Sequence, residues 1–382
     1  MSVPGPRVAI AHDYLTQRGG AERVVLAMAR AFPDAPIYTT LYEPTSTFDE
    51  FAGLDIRTSP GNHIGWIRRH HRAALPFMPF MSRSINIDAD IVLTSSSGWA
   101  HGFRRNGQSL VYCYSPARWL YQTKEYLGPD ASPVVKLMLR AMGPWLKHWD
   151  RRAAARSSRY LAISTVVQDR IMRTYGLEAA VLAAPQTVQN EITFENIPAL
   201  EEFVGDDDYY LCVSRLLPYK NVDTVVDAIS STPDRKLVVI GRGPRLEALQ
   251  ASAGSNVLFL QGLSDAQMRT AYAGCTGVIA ASYEDFGLTP LEGAMFGKPS
   301  IVLRWGGYLD TMIEGRTAVF FDEPDPQLIS DAITTHRATA WDPELIREHS
   351  RTFSEERFAD SLRTEVDAMW GTTENHREKV TS

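Results

Sequence analysis

The sequence predicts two doubly wound α/β domains in tandem, and three observations carry that prediction. Apolar strand candidates alternate with amphipathic helical stretches along nearly the whole chain. The alternation breaks once, across residues 183–208, where the chain is interrupted by proline and ends in an acidic cluster. The two halves also carry opposite charge: residues 1–190 hold 22 Lys and Arg against 14 Asp and Glu, a net +8, and the remainder is −14. Its 382 residues allow two or three domains with a large core, and 44% hydrophobic with 22% charged residues is a soluble globular composition.

The first half opens with the strand candidate RVAIAHDY (7–14), a turn LTQRGG, and the helical pattern AERVVLAMARAF, in which Val24, Val25, Met28 and Phe32 recur at helical spacing. Further strands are expected at 89–96, 109–115 and 159–164, with helices between and after them, including VVKLMLRAMGPWLKHWDRRAAARS. In the second half, strands are expected at 209–214, 236–241, NVLFLQG, 277–282, PSIVLR and AVFF. The helices NVDTVVDAISS, RGPRLEALQASA, DAQMRTAYAGC and a Gly-opened GGYLDTMIEG lie between them. An amphipathic helix after about residue 353 closes the chain, and its final dozen residues read as frayed. The expected domains are therefore 1–190, 205–352 and a C-terminal helix and tail over 353–382.

No apolar leader and no run of about 18 apolar residues occurs, so secretion and membrane spanning are not expected. Cys113, Cys212 and Cys275 are sparse and unpaired in sequence, which reads as reduced core thiols in a cytoplasmic protein. The segment 63–84 mixes Trp66, Phe77, Met78, Phe80 and Met81 with Arg68, Arg69, Arg72 and Arg83. That composition suits an anionic membrane surface, or equally a loop with its apolar side on the core. The pair His70–His71 in the same run shows no ligand spacing, and no nucleic-acid partner is expected.

Doubly wound sheets bind ligands at the carboxyl ends of their strands, so the loops there are the candidates. RGG (18–20) lets backbone approach a ligand at a helix N-terminus, for a phosphate or an acceptor, or it is an ordinary strand-to-helix turn. In SRLLPYKN (214–221), Arg215 and Lys220 can meet a diphosphate, one as a fork and one as a point charge. GRGP (241–244) is an incomplete dinucleotide loop, and DAD (88–90) precedes its strand and so lies at the wrong end of the sheet for a metal site. His101 follows a strand between Gly98 and Gly102, either to contact a sugar hydroxyl or as a structural histidine. Thr289-Pro290-Leu291-Glu292 reads as a capping box, which accounts for Glu292 without any function. Glu284 has no such account. It follows a strand directly, in a Gly-containing loop where a carboxylate can accept hydrogen bonds from ligand hydroxyls.

RGGAERV, SRLLPYKN, EDFGLTPLEGAMFGKP and the glycines near 306 stand in an order that resembles the retaining family-four glycosyltransferases of the GT-B fold, over about residues 7–335. The resemblance implies that Glu284 contacts the transferred sugar, that Glu292 meets the ribose, and that Arg215 and Lys220 hold the diphosphate. Gly19 and Gly20 would lie near the donor phosphate or the acceptor, Phe286, Gly287, Leu288 and Thr289 would belong to the donor site, and His101 would lie near the sugar and acceptor. It also implies a C-terminal helix that crosses back to the first domain. YCYSPARWLYQ (112–122) resembles a subgroup that transfers mannose from GDP-mannose, although that subgroup has His where Tyr114 stands and often Glu where Asp310 stands. The expected function is a retaining hexosyl transfer to a glycan or polyprenyl-diphosphate-linked sugar, with no metal or other cofactor, in the cytoplasm or at the inner face of the plasma membrane. A nucleotide-sugar epimerase and a non-catalytic nucleotide-sugar-binding protein are the alternatives. A dehydrogenase fits least, for want of a complete fingerprint.

Overall fold

The computed structural model describes residues 5–69, 78–122, 133–186 and 193–381. They form two compact units, residues 1–185 with 355–382, and residues 186–354. His70, His71, Arg72 and Phe77 lie outside the described residues.

The first unit is built on a seven-stranded, all-parallel sheet in the order β3-β2-β1-β5-β7-β8-β9. Its strands are β1 (Val8–His12), β2 (Ile37–Thr39), β3 (Ile56–Thr58), β5 (Ile91–Ser96), β7 (Gln108–Cys113), β8 (Arg159–Ala162) and β9 (Ala180–Val181). A separate two-stranded pair joins β4 (Asn86–Ile87) to β6 (Arg104–Arg105). The central strands are apolar without alternation and buried on both faces, as parallel strands covered by helices must be. The short strand β2 and the edge strand β3 beside it have no sequence signal of their own: three residues each are too few to show a period.

The helix Glu355–Thr381 belongs to this unit. Phe358, Leu362, Val366 and Met369 recur at helical spacing and are all buried, and Phe358 meets Tyr112 edge-on at 5.4 Å. Arg30 pairs with Glu355, and Arg159 with Glu365 at 2.9 Å. The last dozen residues, expected to fray, continue this helix to Thr381.

The second unit holds a six-stranded parallel sheet in the order β12-β11-β10-β13-β14-β15. The strands are β10 (Tyr209–Val213), β11 (Lys236–Ile240), β12 (Val257–Leu260), β13 (Gly277–Ala280), β14 (Ser300–Leu303) and β15 (Ala318–Phe321). Strand order reverses between β10 and β13, so the loops leaving these two neighbours part to opposite faces and open a crevice at their carboxyl ends. Those loops are SRLLPYKN and the one carrying Glu284. The corresponding reversal in the first unit falls between β1 and β5.

Candidate active site

In the second unit, the loop after β10 is held by close backbone packing. A Cβ on Gly241 would lie 1.8 Å from the Ser214 carbonyl, and one on Gly243 would lie 2.3 Å from that of Leu216. Only glycine permits this approach, so GRGP acts as a bed for the loop that carries the cations. The turn Pro218–Lys220 follows, closed by Asn221 in the left-handed region at φ 52°, whose amide donates to the Ala281 carbonyl at 2.9 Å. That bond ties the loop after β10 to the loop after β13.

The Lys220 ammonium, almost wholly buried, pairs with Glu284 Oε1. Ser282 Oγ donates to the same oxygen at 3.0 Å and lies 3.0 Å from the Tyr308 hydroxyl. Tyr308 is fully buried, which pushes its phenol well above the usual value, so it stays a neutral partner. The Glu284 carboxylate keeps about a quarter of its surface exposed (27%), open to a ligand. Arg215 extends to the surface and donates from Nη2 to the Tyr219 hydroxyl at 2.9 Å. Lys220 Nζ stands over the Tyr219 ring, 5.0 Å from its centre. Tyr219, Ser282 and Tyr308 were not singled out from the sequence. Tyr219, between Pro218 and Lys220 in the quoted loop, was the one in reach.

The glycines after Glu284 make a tight crossing. Gly287 has φ 90°, and a Cβ there would lie 2.5 Å from the Tyr308 ring; one on Gly307 would lie 2.2 Å from the Phe286 Cα. The Gly307 N–H donates to the Glu284 carbonyl at 3.0 Å and fixes that residue's backbone.

Three expectations change here. The capping box does not form: the helix is Leu288–Met295, Gly287 is its N-cap, and no side chain caps it. The helix starts two residues earlier because Gly287 adopts the left-handed turn, which moves Thr289 inside the first turn, where its hydroxyl reaches back to the Val213 carbonyl at 3.5 Å. Glu292 instead accepts from the Tyr272 hydroxyl at 2.6 Å, so its carboxylate is placed by a side chain and not by its own helix end. Phe286 is buried and meets Phe353 edge-on at 6.3 Å, so its side chain packs in the interior of the second unit. Leu288 lies half-buried beside it.

In the first unit, Gly19 is the extended N-cap of the helix Gly20–Ala31, with no side-chain cap. The Glu22 carboxyl folds back against it, so that a Cβ on Gly19 would sit 2.6 Å from Oε2. Glu22 is 1% exposed, its Oε2 has no hydrogen-bond partner, and burial pushes its carboxyl up to about 7. The Tyr114 hydroxyl donates to the Ala21 carbonyl at 3.2 Å and lies 2.9 Å from Ser95 Oγ, which in turn lies 2.9 Å from His12 Nδ1. Asp13, directly after β1, accepts from the backbone of Ser97, Trp99 and Ala100 at 2.6–2.8 Å and so locks the loop after β5. Neither Asp13 nor Glu22 was picked out from the sequence. The polar pair His12-Asp13 ending an apolar strand was the available signal for the first.

His101, which the resemblance sets near the sugar and acceptor, stands among polar groups of the first unit. It is buried, with Nε2 2.9 Å from Asp150 Oδ1 and Nδ1 3.3 Å from Ser96 Oγ. Asp150 also accepts from the Tyr121 and Tyr175 hydroxyls at 2.9 and 2.8 Å. The buried carboxylate that faces the imidazole stands on the helix Pro133–Ala154. Asp88 and Asp90 sit before β5 and pair with Arg7, a strand-entry role. Among the described residues, no group of three His, Cys, Asp or Glu is placed to hold a metal ion, and no helix is long and apolar enough to cross a membrane. In 63–84, Met78 and Met81 pack on the core while Trp66 and Phe80 are exposed, and Arg68 is committed to Glu43 at 3.1 Å.

Comparison with known proteins agrees with this architecture. Residues 18–183 match the family described as Glycosyltransferase Family 4, and residues 193–336 match Glycosyl transferases group 1. Alpha-1,3/1,6-mannosyltransferase ALG2 of Dictyostelium discoideum is 30% identical over 431 residues, covering 94% of this chain and 97% of that one. A GDP-mannose-dependent alpha-(1-6)-phosphatidylinositol monomannoside mannosyltransferase of Mycolicibacterium smegmatis is 26% identical over 193 residues, covering 45% of this chain and half (50%) of that one. Among solved structures, Anabaena HepE in complex with UDP-glucose superposes with a TM-score of 0.68 at 16% identity, covering 95% of this chain and 100% of that one. Sucrose-phosphate synthase from Thermosynechococcus elongatus does so at 0.69 and 16%, covering 96% and 100%. The chain belongs to the family-four glycosyltransferases and has their GT-B fold.

Proposed function

We propose that this glycosyltransferase is a retaining, metal-independent enzyme that moves mannose from GDP-mannose to a hydroxyl of a glycan or a polyprenyl-diphosphate-linked sugar. The observation that carries the reading is the convergence of Arg215, Lys220 and Glu284 at the reversal of strand order in the second unit. Two fixed cations neutralise a departing diphosphate as its charge develops, which is where electrostatic catalysis contributes most. Glu284 accepts hydrogen bonds from the hydroxyls of the transferred sugar. Lys220 and Glu284 satisfy each other before the donor arrives; a diphosphate draws Lys220 away and leaves Glu284 for the sugar.

The acceptor hydroxyl attacks the anomeric carbon on the face from which the phosphate departs, and the departing phosphate oxygen takes its proton. The C–O bond to the acceptor forms as the C–O bond to the diphosphate breaks, and the configuration is retained. Both mannosyltransferase relatives support the choice of sugar, one of them through its named donor.

The first unit supports an accompanying membrane contact. Trp66, Phe80, Leu137 and Trp145 are exposed, Phe80 stacks on Trp145 at 5.1 Å, and Arg83 and Arg140 are exposed on the segments that carry Phe80 and Trp145. Aromatic and basic side chains together suit an anionic lipid surface.

The test is transfer of labelled mannose from GDP-mannose into a membrane lipid and glycan extract with EDTA present, using wild type and Glu284→Ala. Incorporation that depends on Glu284 and survives chelation supports the reading. Incorporation that requires added metal, or that Glu284→Ala leaves intact, contradicts it.

A further inference from the structure

Arg215 and Lys220 lie five positions apart in the loop after β10, yet one side chain contacts both. Tyr219 accepts a hydrogen bond from Arg215 Nη2 at 2.9 Å through its hydroxyl and presents its ring to Lys220 Nζ at 5.0 Å. We propose that Tyr219 is a positioning residue that presets these two cations for a nucleoside diphosphate. The inference rests on the reading of the donor site given above and names a part that the reading did not contain.

A free arginine side chain samples many rotamers, and that freedom is lost on binding. A carboxylate partner would fix it but would also cancel the charge that the diphosphate needs. A phenol fixes it without cancelling it: the oxygen is a neutral acceptor for Arg215, and the ring face attracts Lys220 through its quadrupole. The tyrosine is itself held, because it is the middle residue of the short turn Pro218–Lys220. The Lys220 N–H donates to the Leu217 carbonyl at 3.0 Å, and Asn221 is tied to Ala281. Tyr219 is half-buried.

The experiment is calorimetric titration of the full chain with GDP, UDP and guanosine, for wild type, Tyr219→Phe, Tyr219→Leu, Arg215→Ala and the double variant Arg215→Ala/Tyr219→Phe. Phenylalanine keeps the ring and loses the hydroxyl, so affinity for the preferred diphosphate falls roughly three- to tenfold. Leucine loses the ring as well and falls roughly two- to fivefold further. Guanosine, which has no phosphate, binds each variant as it binds wild type, which also reports that the site is folded. The double variant binds the diphosphate as weakly as Arg215→Ala alone, because the hydroxyl acts through that arginine. Unchanged diphosphate affinity in Tyr219→Phe, or a further loss in the double variant, overturns the inference while leaving the donor site standing. Wild type that binds neither diphosphate overturns both.

Discussion

Replacing Glu22 with glutamine separates the cost of a buried carboxylate from everything else at the first unit's helix N-terminus. The Glu22 carboxyl is 1% exposed, and burial, the largest influence on it, lifts it from 4.5 to about 7. Gln17 and the residue's own N–H offset part of that cost, and the carboxylate of Asp13 adds to it. Because the folded value is raised above the unfolded one, the folded protein holds the proton more tightly. The stability linked to that proton is complete below about pH 4.5 and is lost as pH rises through 7. A shift of about 2.5 units at 1.36 kcal/mol each is roughly 3 kcal/mol, all of it missing by pH 8. Glutamine keeps the shape and carries no charge. Glu22→Gln is therefore more stable than wild type by up to about 3 kcal/mol at pH 8 and near equal to it at pH 5. Urea unfolding at the two pH values, with the denaturant slope checked for constancy, reads this directly. A variant whose advantage is the same at pH 5 and pH 8 refutes the reasoning, since only a titrating group makes the difference depend on pH.

Other perturbations probe other parts. His336 is buried against Tyr210, and burial lowers its imidazole to about 4, so stability linked to this group is lost as pH falls from about 6.5 to 4, by roughly 3 kcal/mol. His336→Gln should flatten the acid limb of the urea midpoint, and an unchanged limb counts against it. Gly307→Ala places a methyl 2.2 Å from the Phe286 Cα, a clash with backbone that cannot move aside cheaply. The crossing beside Glu284 should open and donor turnover should be lost; normal kcat/KM would contradict the crossing's role. Asp13→Ala leaves the buried N–H groups of Trp99 and Ala100 without their acceptor and should cost about 3 kcal/mol or more in thermal or urea stability. Arg215→Ala should lower kcat about 10²- to 10³-fold, the scale for losing one donor to a developing oxyanion, and a loss under threefold would be too small for that role.

How much of this was legible in the sequence depends on which residues announced themselves through local pattern. The long apolar strands β1, β5, β7, β10 and β11 did, because buried parallel strands read as unbroken apolar runs. The strands β2 and β3 did not: β2 is a strand only because β1 offers a neighbour to pair with, and β3 only because β2 does. Glu284, Arg215 and Lys220 were legible because each lies in the loop that follows a strand, where the composition is otherwise turn-forming. Glu292 was misread in its local role because Gly287 took the left-handed turn and moved the helix start, which no spacing rule anticipates. His101 looked like a ligand residue because its glycine neighbours suggested an open loop. The partner that removes it from solvent, Asp150, is 49 residues away on another element, beyond the reach of any local pattern. Tyr219 and Glu22 show the same limit from the other side, since their importance lies in what each touches and not in what each is.

The most direct test of the account is a metal-free thermal-shift panel of GDP-, UDP- and ADP-sugars on wild type and Glu284→Ala. A ligand that binds only the folded protein raises its melting temperature by mass action. The account predicts a selective rise with GDP-mannose that Glu284→Ala loses. No rise with any nucleotide sugar, or a rise that Glu284→Ala retains in full, would contradict it.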